Sequence, residues 1–399
     1  MKEFRVGVIG FGQRGQGMFN HVLNVENVKV TAVCDFYEDR AQKAADVAFE
    51  KKGYRPEIVT TNYSDLINSD IVDVIMIFAA WEVHIPIAIQ SMKAKKPVAV
   101  EVAGAYSVEQ CWDLVKTYEE TKTPIMMLEN CCYGRRELML MNMIEKGFFG
   151  KISHIDGSYS HDLRKEITGG IKNRHYRLRN YSGRNCDNYP THELGPIAQM
   201  LGINKGNRMV SLVSMASKAN GLKDYIAKNY SDDKTLTAME FEQGDIITTI
   251  IKCAHGETIR LTLDTTLPRI YSRDICVHGT DAYYNEVNEV CVRDGEITEE
   301  MEWSMDKKEL WNNFEKYKAE YDHPIWVKYE NDGVKEGHGG MDWLTVSAFF
   351  DALKENKPMP IDVYDMALWM SITPLTEKSI ALGSVPVEIP DFTNGRWVL

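Results

Sequence analysis

The chain has no run of basic residues, and its 46 Lys and Arg against 58 Asp and Glu leave a formal charge of −12. Such an acidic balance repels phosphate backbones and argues against a nucleic-acid partner. Arg135-Arg136 is internal and is no export signal. No apolar stretch approaches the length of a membrane span. Met1-Lys2-Glu3-Phe4-Arg5 runs straight into the apolar Val6–Ile9, with no apolar leader and no small-residue cleavage site. The expectation is therefore a cytoplasmic protein without a membrane partner. No C-x-x-C pair occurs among Cys34, Cys111, Cys131, Cys132, Cys186, Cys253, Cys276 and Cys291. In a reducing compartment these read as small buried hydrophobes, with no zinc framework and no metal site expected. Internal repeats and low-complexity tracts are missing too, which excludes solenoids and arrays.

What is present is an ordinary globular balance: 399 residues, 44% hydrophobic and 26% charged. That length suits two domains, perhaps three. The first part alternates apolar runs with helical patterns. Strands are expected at Phe4–Ile9, Val28–Asp35, Val72–Phe78, Pro97–Val102 and Pro124–Leu128. Helices are expected at Gly15–Val25, Asp39–Lys52, His84–Lys93 and Val108–Tyr118. Alternation of this kind implies a parallel sheet covered by helices on both faces.

Beyond about residue 130 the pattern changes. Ser153–Ser160, Arg208–Met215, Ile246–Cys253, Glu257–Thr266 and Ser272–His278 are β-rich and closely spaced, and Gly244-Asp245 and Gly256 mark turns among them. A mixed or antiparallel sheet follows from this. Helical patterns return at Trp343–Lys354 and Val363–Leu382. The fold class is α/β: an N-terminal Rossmann parallel sheet (1–130), followed by an α+β substrate-binding and oligomerisation domain (131–399) with a large open, mainly antiparallel sheet. The active cleft is expected between the two.

Gly10-Phe11-Gly12-Gln13-Arg14-Gly15 is a G-x-G-x-x-G turn between the first strand and the first helix. The first glycine makes the turn and the second lets backbone approach a pyrophosphate. The third allows close helix–strand packing, with the helix N-terminus facing the anion. The second apolar run ends in Asp35, twenty residues after Gly15. A carboxylate there accepts a ribose 2′-hydroxyl and repels a 2′-phosphate, so NAD is favoured over NADP. The segment Phe78–His84 leaves the third strand beside the same crevice. The cofactor-contacting set is Gly10, Gly12, Gln13, Arg14, Asp35, Trp81, His84 and Glu101. His84, like His154 and His161, also has a purely structural reading.

This arrangement resembles the glucose–fructose oxidoreductase and inositol dehydrogenase (Gfo/Idh/MocA) family, which joins a Rossmann domain to an open-sheet domain. Many of its dehydrogenases carry Glu-Lys-Pro after the fourth strand, the Lys acting near the substrate hydroxyl. Here Val98–Ala105 reads V-A-V-E-V-A-G-A, and Val102 stands where that Lys would be. Valine transfers no proton and donates no side-chain hydrogen bond. Val98–Ala105, Cys111-Trp112, Met126–Asn130, Tyr159–Arg164, Gly183–Asn185, Tyr189–His192, Gly195-Pro196, Pro268–Arg273 and Gly337–Asp342 together resemble one branch: glycoside hydrolase family 109, the NAD-dependent N-acetylgalactosaminidases. Glu193 departs from that branch, which carries Gly after the Thr-His pair, and Gly104 replaces a more usual Ala.

The resemblance implies catalytic roles for His192, Tyr159 and Tyr189, and substrate contacts from Glu129, Arg177 and Tyr271. It implies transient oxidation of a sugar at C3, loss of the C2 proton, elimination at C1, water addition and re-reduction. NAD-dependent glycosidases need no pair of carboxylates. His192 leads as general acid or base. A relay through Tyr159 and Tyr189 requires a nearby Arg and His to lower their pKa. How the three share the work is open. Each also has a plainer reading: His192 as a hydrogen-bonded structural histidine, Tyr159 and Tyr271 as packed rings, and Glu129 as a helix-start carboxylate. Gly337–Gly340 reads equally as a mobile loop over the cleft or a simple turn. The alternatives to a glycosidase are an NAD-dependent sugar or polyol dehydrogenase and a non-catalytic sugar sensor. The expected partner is a small sugar or glycoside, and a homo-oligomer is expected because an open sheet face often becomes a subunit interface in this family.

Overall fold

The computed structural model describes residues 3–303, 308–335 and 337–398. The chain divides into two compact units, Met1–Asn130 with Val334–Ser371, and Cys131–Gly333 with Ile372–Leu399. Val334–Ser371, within the stretch 131–399 expected as the second domain, packs with the first unit. The cause is apolar burial: the helix Met341–Glu355 buries Val346, Phe349 and Phe350 and packs on the helix Gln13–Asn24. Phe350 lies against Phe4 with ring centroids 5.9 Å apart. Among the described residues no helix is long and apolar enough to cross a membrane.

The first unit is built on six parallel strands: β1 (Phe4–Ile9), β2 (Val28–Cys34), β3 (Ile58–Thr60), β4 (Val74–Ile77), β5 (Val98–Val100) and β6 (Ile125–Met127). Their order is β3-β2-β1-β4-β5-β6. β4 and β5 are buried throughout, as continuous apolar runs in a doubly covered sheet must be. β3 was not expected. It is three half-buried edge residues, too short to carry a pattern. The helix Glu38–Lys52 buries Ala41, Ala44, Ala45 and Ala48, a narrow alanine face at helical spacing. Glu38 and Asp39 at its start and Lys51 and Lys52 at its end suit the helix dipole, and Gly53 closes it at φ 74°. Strand order reverses between β1 and β4, which opens a crevice at their C-terminal ends.

The second unit carries β7 (Ile152–Ser160), β8 (Met209–Ala216), β9 (Ile246–Cys253), β10 (Thr258–Asp264), β11 (Cys276–Gly279), β12 (Ala282–Asn285), β13 (Val290–Arg293) and β14 (Val387–Glu388). They form one sheet in the order β13-β12-β11-β7-β10-β9-β8-β14. β7 and β10 pair in parallel, and the other neighbours are antiparallel. Ser272–Ile275, expected as strand, is not one; Ser272 makes only an isolated bridge to Ser160. β9 alternates cleanly, with Ile247, Thr249, Ile251 and Cys253 buried and Ile250 and Lys252 exposed. One sheet face therefore makes core and the other is open. On the core face a Cβ at Gly157 of β7 would sit 2.7 Å from Ile197 Cδ1 and 3.0 Å from Glu193 Cβ. The bare glycine lets the helix Thr191–Met200 lie directly on the strand, and that helix carries His192.

Candidate active site

The glycine turn of the first unit has the geometry a dinucleotide needs. Gly10 sits at φ 99°, and a Cβ there would lie 2.5 Å from the Ala79 nitrogen. A Cβ on Gly15 would lie 2.1 Å from the Gly10 carbonyl oxygen. Both positions are closed to any side chain by neighbouring backbone. Gly12 is different: a Cβ there meets nothing nearer than Arg40 Nη1 at 3.9 Å, so its missing side chain leaves open space at the mouth of the helix Gln13–Asn24. The first N–H groups of a helix have no acceptor within it, and a pyrophosphate supplies one. Asp35, just beyond β2, accepts from the Phe11 nitrogen at 2.6 Å and the Tyr37 nitrogen at 2.9 Å. Its carboxylate keeps lone pairs for a ribose hydroxyl. The residues present fit NAD.

Other members of the expected cofactor set have protein partners of their own. His84 is buried with Nε2 2.9 Å from the Ala79 carbonyl, and burial pushes its pKa down to about 4. It is a neutral ring anchoring the turn after β4. Trp81 is buried in the same turn. Arg14 Nε donates to Glu101 Oε1 at 2.8 Å, and its two terminal nitrogens grip Asp342 at 2.8 and 2.9 Å. Asn130 and His338 also hold Asp342, each at 2.8 Å. Burial alone would raise the Asp342 pKa, but hydrogen bonds from His338 and Arg14 outweigh it and hold the carboxyl well below its usual range. The turn His338–Gly340, open as lid or plain turn on sequence, is thus tied to the glycine-turn helix. Glu101 Oε2 accepts from the Val102 nitrogen at 3.0 Å, and Val102 is buried. Glu129 lies two residues beyond β6 and is fully buried.

In the second unit the fold gathers most of the remaining predicted residues. Tyr159, on the core face of β7, stacks obliquely on Tyr189 at 4.5 Å between ring centroids and meets the edge of His192 at 5.4 Å. Tyr189 and His192 are 4.7 Å apart. The Arg177 guanidinium lies 5.0 Å over the Tyr189 ring, and its Nε is 2.7 Å from Glu166 Oε1. Tyr271 closes the group at 6.4 Å from Tyr159; its ring is partly exposed, and its hydroxyl accepts from Arg273 Nη1 at 3.2 Å. Arg273 is in turn paired with the buried Glu137, its Nε donating at 2.7 Å.

Burial raises the Tyr159 pKa far above its ordinary value, and Arg177 opposes this only in part. Tyr271 is raised as well, again by burial first. The lowering required for a tyrosine relay is therefore not found at Tyr159, because desolvation of a phenolate outweighs one nearby cation. Tyr159 enters the site as a protonated hydrogen-bonding group.

Sequence reasoning missed several supporting residues. His161, assigned a structural role, has its ring 5.2 Å from Tyr271 and 6.1 Å from Tyr159. Glu166, Arg273 and Glu137 fix Arg177 and Tyr271. The loop entering the His192 helix is held from afar: Asp187 N donates to Thr376 Oγ1 at 3.0 Å, Gln243 Nε2 donates to the Cys186 carbonyl at 2.9 Å, and Asn188 Nδ2 donates to the Gln243 side-chain Oε1. Asp187 Oδ1 accepts from the Tyr189 nitrogen at 3.2 Å. These partners lie up to 189 positions away in the chain, beyond any local pattern.

Comparison with known proteins places the chain in a family. Residues 133–399 match the family model described as glycosyl hydrolase 109, C-terminal domain. Residues 4–128 match the oxidoreductase family, NAD-binding Rossmann fold. A glycosyl hydrolase family 109 protein of Stenotrophomonas maltophilia is 36% identical, covering 99% of this chain and 90% of its own length. An alpha-N-acetylgalactosaminidase of Tannerella forsythia is also 36% identical, over 99% of this chain and 87% of its own. Among solved structures, a levoglucosan dehydrogenase in complex with NADH and levoglucosan has a TM-score of 0.70 at 16% identity, covering 98% of this chain and all of its own. An inositol dehydrogenase homologue of Azotobacter vinelandii, complexed with NADH and myo-inositol, has a TM-score of 0.68 at 13% identity, covering 97% and 98%. At such identities these two speak for the fold alone. The glycine turn, the buried valine in the lysine position and the full-length matches lead to one placement: the chain belongs to glycosyl hydrolase family 109, enzymes on an NAD-binding Rossmann oxidoreductase fold.

Proposed function

We propose that the protein hydrolyses alpha-N-acetylgalactosaminides without net redox change. The observation that carries this is the end-to-end 36% identity with an enzyme named alpha-N-acetylgalactosaminidase. The buried Val102, in the place of a dehydrogenase lysine, supports it. NAD, held by the Gly10–Gly15 turn and Asp35, would supply reversible hydride transfer at the sugar's C3, and a ketone there would acidify the C2 proton. His192 moves that proton at an imidazole nitrogen, because imidazole is the side chain suited to both accepting and returning a proton near neutrality. Tyr159, kept protonated by burial, donates a hydrogen bond from its phenolic oxygen to a sugar oxygen. Tyr189 lines the same surface. Arg177, held by Glu166 and lying over Tyr189, orients that pair. Tyr271, with its hydroxyl fixed by Arg273, offers an exposed ring face to the sugar. Glu129, buried beyond β6 in the first unit, is the remaining residue of the expected substrate set.

The eight cysteines are all buried and free, which favours a cytoplasmic setting. The open sheet face, with Met215 and Ile250 exposed on it, favours a homo-oligomer. The deciding experiment is hydrolysis of an aryl alpha-N-acetylgalactosaminide in D₂O with absorbance of NADH followed in parallel. Release of the aglycone, no accumulated NADH and deuterium at C2 are expected. A product fully protiated at C2 would defeat the elimination chemistry, and stoichiometric NADH would make the enzyme a sugar dehydrogenase instead.

A further inference from the structure

A second cluster of chemistry-bearing residues lies on the open face of the second unit's sheet. Successive strand residues point to opposite faces, so Asp156 of β7 faces away from Gly157 and Tyr159. Cross-strand register puts Cys276 of β11 opposite Asp156, and His278 opposite His154. Arg260 of β10 stands opposite Asp156 on the other side. Cys276 Sγ is 3.3 Å from His278 Nε2, which is 3.6 Å from Asp156 Oδ2. One ligand atom from each of Asp156, Cys276 and His278 lies within 4.8 Å of the others.

We propose that Asp156, Cys276 and His278 bind a thiophilic divalent cation of the zinc class. Bond lengths of about 2.3 Å to sulfur and 2.0–2.1 Å to nitrogen or oxygen imply tetrahedral edges of roughly 3.3–3.6 Å. The two edges above are close to these values, and the third, from the Cys276 sulfur to the Asp156 carboxylate, is within 4.8 Å. The surroundings orient the ligands as a metal site requires. Asp156 Oδ1 is occupied, by Arg260 Nε at 2.7 Å and His154 Nε2 at 2.9 Å, which aims Oδ2 at His278. His154 is held through Nδ1 by Thr258 at 2.7 Å. Asp156 and Cys276 are buried, whereas the His278 side chain is 44% exposed in the single chain. Burial raises the Cys276 thiol, partly opposed by a hydrogen bond from Tyr283, and a bound dication replaces that proton. A carboxylate, a thiolate and an imidazole together exclude magnesium and calcium, which take oxygen ligands. Because the cluster faces away from Tyr159, the ion is structural and no part of the sugar chemistry.

The test is titration of chelator-treated full-length protein with Co²⁺ alone, read by absorbance, with bound Zn²⁺ counted after dialysis. One ion per chain and a thiolate-to-cobalt charge-transfer band are expected. Cys276→Ser abolishes the band. His278→Gln, at a half-exposed position that leaves folding intact, weakens binding by about tenfold or more. Hydrolysis is unchanged in His278→Gln. A folded wild-type protein that takes up no stoichiometric metal overturns the proposal, and so does a band that persists unaltered in both variants.

Discussion

Burial fixes the Tyr159 phenol in its protonated form, and this divides labour within the cluster. A phenol that keeps its proton donates a hydrogen bond but does not begin a deprotonation. In the proposed reaction His192, packed edge-on to both Tyr159 and Tyr189, is the residue assigned to move the proton. His192→Ala is expected to lower kcat by at least about 100-fold, the usual scale for a lost general acid or base. NAD affinity and melting temperature should stay near wild-type, since the glycine turn belongs to the other unit. Hydrolysis rates beside an NAD titration check this. A variant with wild-type kcat would return His192 to a structural role.

At the scale of elements, the β1–helix turn uses its glycines for unlike reasons. Gly10 is closed by backbone and by its φ of 99°, whereas Gly12 borders open space. Gly10→Ala should therefore cost stability, on the order of 1–3 kcal/mol from backbone strain alone. Gly12→Ala should leave the melting temperature almost unchanged but weaken NAD binding by roughly tenfold or more, because its methyl group occupies the approach of the pyrophosphate. Thermal melts and NAD titrations of both variants separate the two effects; equal loss of stability in both would contradict the geometry. The same helix also anchors the turn His338–Gly340, through the Arg14–Asp342 pair. G-x-G-x-x-G and the alternating runs were legible because they are local. The Arg14–Asp342 pair spans 328 positions and has no local signature.

For the molecule as a whole, the buried Asp187 couples folding to pH. Burial pushes its carboxyl up to about 7, the Tyr189 nitrogen opposing only slightly. In the unfolded chain an aspartate titrates near 3.9. The native state thus holds the proton over a range where the unfolded chain has lost it. Stability from this group is complete below about pH 4 and declines as pH rises through about 7, by up to about 4 kcal/mol. Asp187→Asn keeps an oxygen for the Tyr189 nitrogen and removes the charge. Its unfolding free energy should fall less between pH 4 and pH 8 than that of the wild type. Denaturant melts across that range measure the slope, and parallel slopes would show that Asp187 is not the titrating group.

By itself the sequence determined the Rossmann half, its glycine turn and Asp35, the open-sheet half, and the loss of the dehydrogenase lysine at Val102. All of these are properties of short windows, where periodicity, turn chemistry and residue type act locally. Only the tertiary structure decided that Val334–Ser371 packs with the first unit, that Tyr159 stays protonated, that burial raises the Asp187 carboxyl, and that Asp156, Cys276 and His278 share one sheet face. Desolvation and cross-strand neighbours are sums over residues distant in the chain, so no local window contains them.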